Sequence, residues 1–135
     1  MSVPTWLGID YGAKRIGIAI ATDDRRACPH VTLANNGDDA LAELRNLCAE
    51  YLPQALIIGL PRGLDGQDTR QTDVARAAAA MYEHELGVPV VTQDEAVTSE
   101  LAREQLTSRG ESLENGSIDR EAAAIILQDY LDMPS

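Results

Sequence analysis

The chain has 135 residues, 44% of them apolar but only 4% aromatic, with 22 acidic against 11 basic side chains and a formal net charge of −11. That length suits one domain over residues 1–135, with a core built from Leu, Ile, Val and Ala, since there is no Phe and a single Trp. The acidic balance opposes binding to a polyanion unless positive charge is locally concentrated or brought by metal ions, and no apolar run reaches the roughly 18–20 residues of a membrane span.

The N-terminus lacks the charged-then-apolar layout of a secretory signal, so a cytoplasmic protein with no membrane partner is expected. Cys28 and Cys48 have no metal-ligand spacing and read as free thiols. His30 and His84 lie in different elements and read as surface or packing residues.

Residues 6–21 predict a hairpin: two apolar runs rich in β-branched residues flank a break at Tyr11-Gly12-Ala13-Lys14. The first strand ends on Asp10. A carboxylate in an otherwise apolar strand costs several kcal/mol when buried alone, so Asp10 should be exposed, hydrogen-bonded or bound to a cation. Gly8, Gly12 and Gly17 mark places where another backbone or a ligand comes close.

Cys28 to Leu33 predicts a third strand after a polar turn. Asn35-Asn36-Gly37-Asp38 then opens a helix with Leu41, Leu44, Cys48 and Tyr51 on one face, and Pro53 ends it. Ala55 to Leu60 is wholly apolar, the pattern of a strand buried on both faces. After the loop from Pro61 to Gly66, an Ala-rich helix is predicted from about Thr69 to Leu86, with Val74, Ala78 and Met81 along one side and Gly87 as its stop.

Val88 to Thr92 predicts the last strand, running into Gln93-Asp94-Glu95. A helix capped by Thr98-Ser99 passes through Leu101 and Leu106 to about Arg109, and a polar connector covers Glu111 to Ser117. The final helix begins at Ile118-Asp119, and Ala122 to Leu127 is too uniformly apolar for a surface helix. The sum is an α/β fold: a mixed five-stranded sheet, three antiparallel strands followed by parallel ones, flanked by helices.

Asp10, the Asp94-Glu95 pair and Asp119 share a setting. If the first and fourth strands are parallel neighbours and the fifth lies beside the fourth, their carboxyl ends converge where ligands of open α/β sheets bind. Carboxylates crowded into one crevice repel, and Mg²⁺ or Mn²⁺ would relieve the repulsion while suiting oxygen ligands. Such ions activate water for phosphodiester cleavage. The plain alternative for each acid is a helix cap or a solvated strand end, and alternation leaves open whether Asp94 or Glu95 faces the ions.

Four ordered blocks also resemble the YqgF (RuvX) family of Holliday junction resolvases and pre-16S rRNA nucleases: Leu7-Gly8-Ile9-Asp10-Tyr11-Gly12-x-Lys14-Arg15-Ile16-Gly17; Ile58-Gly59-Leu60-Pro61 with Asp65-Gly66; Asp94-Glu95 with Thr98; and Asp119-x-x-Ala122-Ala123 with Ile126-Leu127-Gln128-x-Tyr130-Leu131. The resemblance spans Trp6 to Leu131 and implies a ribonuclease H-like fold. It implies a metal-dependent endonuclease acting on structured RNA, a 16S rRNA precursor in ribosome biogenesis, or on branched DNA, with ribosomal precursor particles as partners of a monomer or homodimer. By the same resemblance Asp10, Asp94, Glu95 and Asp119 are the metal-binding positions, with Asp10, Glu95 and Asp119 catalytic, while Lys14, Arg15 and Arg62 meet nucleic acid.

Two departures stand out. Ala96 follows Asp94-Glu95 where the family has Arg, and Glu111 and Glu114 accompany Arg109 where the family is basic. Both remove positive charge and leave room for a second reading, a catalytically inactive binding or assembly module. A third, from the likeness of Gly8-Ile9-Asp10-Tyr11-Gly12 to the first phosphate loop of sugar kinases and actin-like ATPases, needs a second lobe that 135 residues do not provide.

Overall fold

The structure, a computed structural model, describes residues 3–95 and 98–134. β1 (Trp6–Tyr11), β2 (Arg15–Ala21) and β3 (Cys28–Ala34) form an antiparallel meander, followed by α1 (Asp38–Tyr51), β4 (Ala55–Pro61), α2 (Arg70–Leu86), β5 (Val90–Glu95), α3 (Thr98–Ser108) and α4 (Asn115–Leu131). The strands make one sheet in the order β3-β2-β1-β4-β5, with β4 parallel to β1 and β5 parallel to β4. The expected mixed sheet is present, and the carboxyl ends of β1, β4 and β5 share one edge.

Side-chain alternation divides the core into two layers. Leu7 and Ile9 of β1 join Leu56 and Ile58 of β4 against Leu44 of α1 and Ala75, Ala78 and Tyr82 of α2. On the other face Ala19 and Ile57 pack against Ala123, Ile126 and Leu127 of α4. α3 in turn rests on α4 through Ala102, Leu106, Ile118, Ala122 and Ile125.

Glycines set how deeply α4 sits. A Cβ on Gly8 would lie 2.6 Å from Leu127 Cβ and 2.7 Å from Ala123 O, and a Cβ on Gly17 would overlap the Asp119 carbonyl. The helix therefore lies on bare backbone of β1 and β2, which is the close approach that glycines inside a strand signal.

Local chemistry fixes the element ends. Thr69 caps α2 in a reciprocal box: its hydroxyl accepts from the Thr72 amide at 3.3 Å and the Thr72 hydroxyl accepts from the Thr69 amide at 3.0 Å. Thr72 is fully buried and its hydroxyl also donates to the Pro61 carbonyl, tying the helix start to the end of β4. Thr69→Ala is expected to lower unfolding free energy by about 1 kcal/mol in urea titrations. Gly87 closes the same helix in the left-handed region at φ 65°.

Several expectations shift. α2 buries Ala75, Ala78, Ala79 and Tyr82, whereas Val74 and Met81 are exposed, because an Ala-rich sequence marks its inner face weakly. β5 runs on to Glu95 and starts at Val90 instead of Val88. α3 buries Ala102 and Leu106 but exposes Leu101. α4 starts at Asn115, inside the stretch expected to be a connector, so Asp119 lies in its second turn and not at its N-terminus. Cys28 is exposed and Cys48 buried, both as free thiols, and His30 packs edge-on against the Tyr51 ring.

Candidate active site

Asp10 is the next-to-last residue of β1 and pairs across the sheet with Gly17 of β2. By alternation it shares a face with Gly8, the face covered by α4. Since Gly17 lies directly beneath the Asp119 carbonyl, the second turn of α4 is brought beside Asp10. Two residues distant in sequence thus meet through a strand pair and a glycine contact.

The electrostatics register that meeting. The Asp10 carboxyl is pushed up from 3.8 to about 6, chiefly by burial and further by the negative charge of Asp119. Asp119 is itself held by Arg15, whose Nε donates to Oδ2 at 2.6 Å across the first residue of β2. The second-turn position removes the helix-cap explanation for Asp119, and its partner is a cation from another element.

β5 sends its two adjacent acids to opposite faces of the sheet. Glu95 pairs in register with Pro61, two residues beyond Gly59, so it stands on the face of Asp10 and α4. Its Cγ lies 3.6 Å from where a Gly59 Cβ would be, and Ile126 fills the space that such a Cβ would take. Asp94 pairs with Leu60 and faces the other way. It is exposed and accepts from Arg62 Nη2 at 3.0 Å and Nε at 3.3 Å, while Arg62 also pairs with Asp68 before α2.

A cavity of about 350 Å³ opens at this sheet edge, lined by Asp10, Gly59, Pro61, Arg62, Glu95 and the first turns of α3. That volume is at the lower end of the roughly 300–1,000 Å³ of ligand sites. Asp94 lines a neighbouring hollow of about 510 Å³ with Gly63, Leu64 and Gly66, and Arg62 and Glu95 border both spaces. The four acids expected together therefore divide: Asp10 and Glu95 share the cavity, Asp119 adjoins Asp10, and Asp94 lines only the neighbouring hollow, which Glu95 also borders. Among the described residues no three His, Cys, Asp or Glu side chains are grouped closely enough to form a metal cage.

The basic residues divide as well. Lys14 is exposed on the hairpin turn, Arg15 is committed to Asp119, and Arg62 to Asp94 and Asp68. Sequence reasoning missed Ser99, Glu100 and Arg103, which α3 contributes to the cavity wall. Arg103 follows Ser99 by four residues and Glu100 by three, and this helical spacing beside buried Ala102 was the available signal, since a residue next to a buried position overlooks what the helix packs on.

The fold is that of the RuvC nucleases, ribonuclease H-like. Thermus thermophilus RuvC, solved in complex with a Holliday junction substrate, superposes with a TM-score of 0.60 over 95% of this chain and 93% of that one, at 17% identity. In sequence, residues 4–133 match the RuvX family, described as Holliday junction resolvase, and the chain belongs to that family. A relative from Anaeromyxobacter dehalogenans (strain 2CP-C), named "Putative pre-16S rRNA nuclease", is 38% identical over 130 residues, 93% of this chain and 95% of its own. One of the same name from Shewanella oneidensis is 32% identical over 136 residues, 98% and 96% of the two chains. The described residues include no helix long and apolar enough to cross a membrane.

Proposed function

We propose that this chain is a divalent-metal-dependent endonuclease acting in the cytoplasm on structured RNA, with the 5′ end of a 16S rRNA precursor as its substrate, and that Asp10, Glu95 and Asp119 carry the reaction. The observation behind this reading is the Asp10 carboxyl, raised to about 6 by burial and by the charge of Asp119 in a cavity that Glu95 also lines. A domain gains nothing in packing by holding such acids together, whereas a cation-binding site requires it.

The donor set suits Mg²⁺ or Mn²⁺, being all carboxylate oxygen at the site. Asp10 and Glu95 in the cavity, with Asp119 beside Asp10, would hold the ion, its remaining positions taken by waters and phosphate oxygens. A bound ion supplies polarisation of the phosphoryl oxygen and a water acidic enough to attack it. The chain's own residues do the positioning. Arg15 fixes the Asp119 carboxylate, and Gly59 keeps the cavity floor low enough for Ile126 and Glu95 to sit side by side. Lys14, exposed on the turn between β1 and β2, would add a charge for the nucleic acid.

The relatives' name favours RNA, and the family's description favours the same chemistry on a four-way DNA junction. Both substrates, offered separately with Mg²⁺ or Mn²⁺ and with chelator, test the reading. Ion-dependent shortening of the precursor 5′ end is expected, at a higher rate than junction cutting. A protein that binds precursor RNA and never cuts it under any of these conditions is the inactive module instead. Glu95→Gln should lower the rate by about a hundredfold or more, while Asp94→Asn, which disturbs only an exposed ion pair, should change it by less than about threefold and stability by less than about 1 kcal/mol. Equal losses in the two variants would remove the division of the acids between opposite faces of β5.

A further inference from the structure

Resting on the nuclease reading, we propose that Arg103 takes the phosphate backbone of the strand bound in the Asp10 cavity, and that it is the principal cation doing so. Arg103 lies on α3, is exposed, and lines the cavity together with Asp10 and Glu95. The other two arginines near that edge are already engaged: Arg15 holds Asp119, and Arg62 is shared between Asp94 and Asp68. The ion pairs among the described residues leave Arg103 out.

Its placement is fixed from behind. Ala102 is fully buried and Leu106 nearly so, both against α4, so the helix that carries Arg103 is seated on the helix that carries Asp119. A guanidinium on such a base presents a planar, permanently charged fork suited to two phosphate oxygens. The chain's charge of −11 makes the need acute, because a polyanion reaches these carboxylates only past a local positive centre.

The competing role for Arg103 is to neutralise the cavity's own carboxylates, and the two roles part in measurement. Binding of a fluorescent 16S precursor RNA is followed by anisotropy in chelator, across a range of salt concentrations, for the wild type, Arg103→Ala, Arg103→Lys and Arg45→Ala. Arg103→Ala is expected to bind about tenfold more weakly and to reduce the salt slope by about one. Arg103→Lys, which keeps the charge but loses the fork, should restore the salt slope and only part of the affinity, and Arg45→Ala, altering an exposed pair on α1, should match the wild type. Unchanged affinity and slope in Arg103→Ala overturn the proposal, as does a shifted pH–rate profile with binding intact.

Failure of the nuclease reading looks different. A wild type that binds RNA through Arg103 without ever cutting it keeps this contact and loses the catalytic assignment. A wild type that binds no nucleic acid loses both. Thermal melts equal to the wild type show that the variants remain folded.

Discussion

Asp10→Asn is expected to abolish cleavage, by about 10²–10⁴-fold, and at the same time to make the protein more stable at neutral pH. Burial and the nearby Asp119 charge raise the Asp10 carboxyl from 3.8 to about 6, so the native state binds a proton more tightly than the unfolded chain does. Stability contributed by this group is therefore highest below about pH 4, falls as pH rises from about 4 to about 6, and stays low above that. Keeping the carboxylate charged at pH 7 costs about 3 kcal/mol. An amide of the same shape carries no charge but forgoes part of its hydrogen bonding, which leaves a net gain on the order of 2 kcal/mol.

Urea unfolding of both proteins in chelator at pH 4 and pH 8 reads this directly. The stability difference should be near zero at the lower pH and favour Asp10→Asn at the higher one. Added Mg²⁺ should then raise the melting temperature of the wild type and leave that of the variant nearly unchanged. A variant as active as the wild type, or one less stable at pH 8, would remove Asp10 from the role assigned to it.

Gly17→Val carries the second large effect. Any side chain there runs into the Asp119 carbonyl, and the obstacle is helix backbone, which cannot rotate aside as a side-chain tip can. Overpacking of this kind costs about 1–3 kcal/mol, and the upper end or beyond is expected because α4 also meets β1 at Gly8. The variant that does fold should have lost cleavage, since lifting the second turn of α4 separates Asp119 from Asp10. Gly37→Ala is the contrast: its φ of 71° strains an alanine by about 1 kcal/mol, but nothing lies within 4 Å of the added methyl. Denaturation together with cleavage rates separates a lost contact from a lost domain. Full activity in a well-folded Gly17→Val protein would show that the glycine contact does not place Asp119.

The fold was legible because its main signals are periodic and strong. The apolar run from Ala55 to Leu60 carries the pattern of a doubly buried strand, and glycines within the first hairpin announced a close neighbour, which is α4. Asp10 was readable for the same reason, as a charge where the pattern demanded none. Asp94 and Glu95 were not separable, since a one-residue change of register exchanges their faces, and only pairing with Leu60 and Pro61 fixes it. The start of α4 was hidden because Glu114 makes no side-chain cap and residues 115–117 are small and polar. The pairs Arg15–Asp119 and Arg62–Asp94 link residues far apart along the chain, and no local pattern records such partners. Arg103 escaped because a charge on an amphipathic helix reads as solvated until the neighbouring wall is known.

The unequal make-up of the two layers has an outcome for how this molecule can change. On one side Leu44, Tyr82 and their neighbours interlock through side chains, which exchange volume with one another and tolerate drift at modest expense. On the other, α4 touches peptide groups at Gly8 and Gly17, and a lineage has no smaller residue to turn to. Thermal robustness can accordingly be gained or lost on the first side while the spacing of the acids stays put, so that tuning the durability of the scaffold and tuning its chemistry are nearly independent tasks.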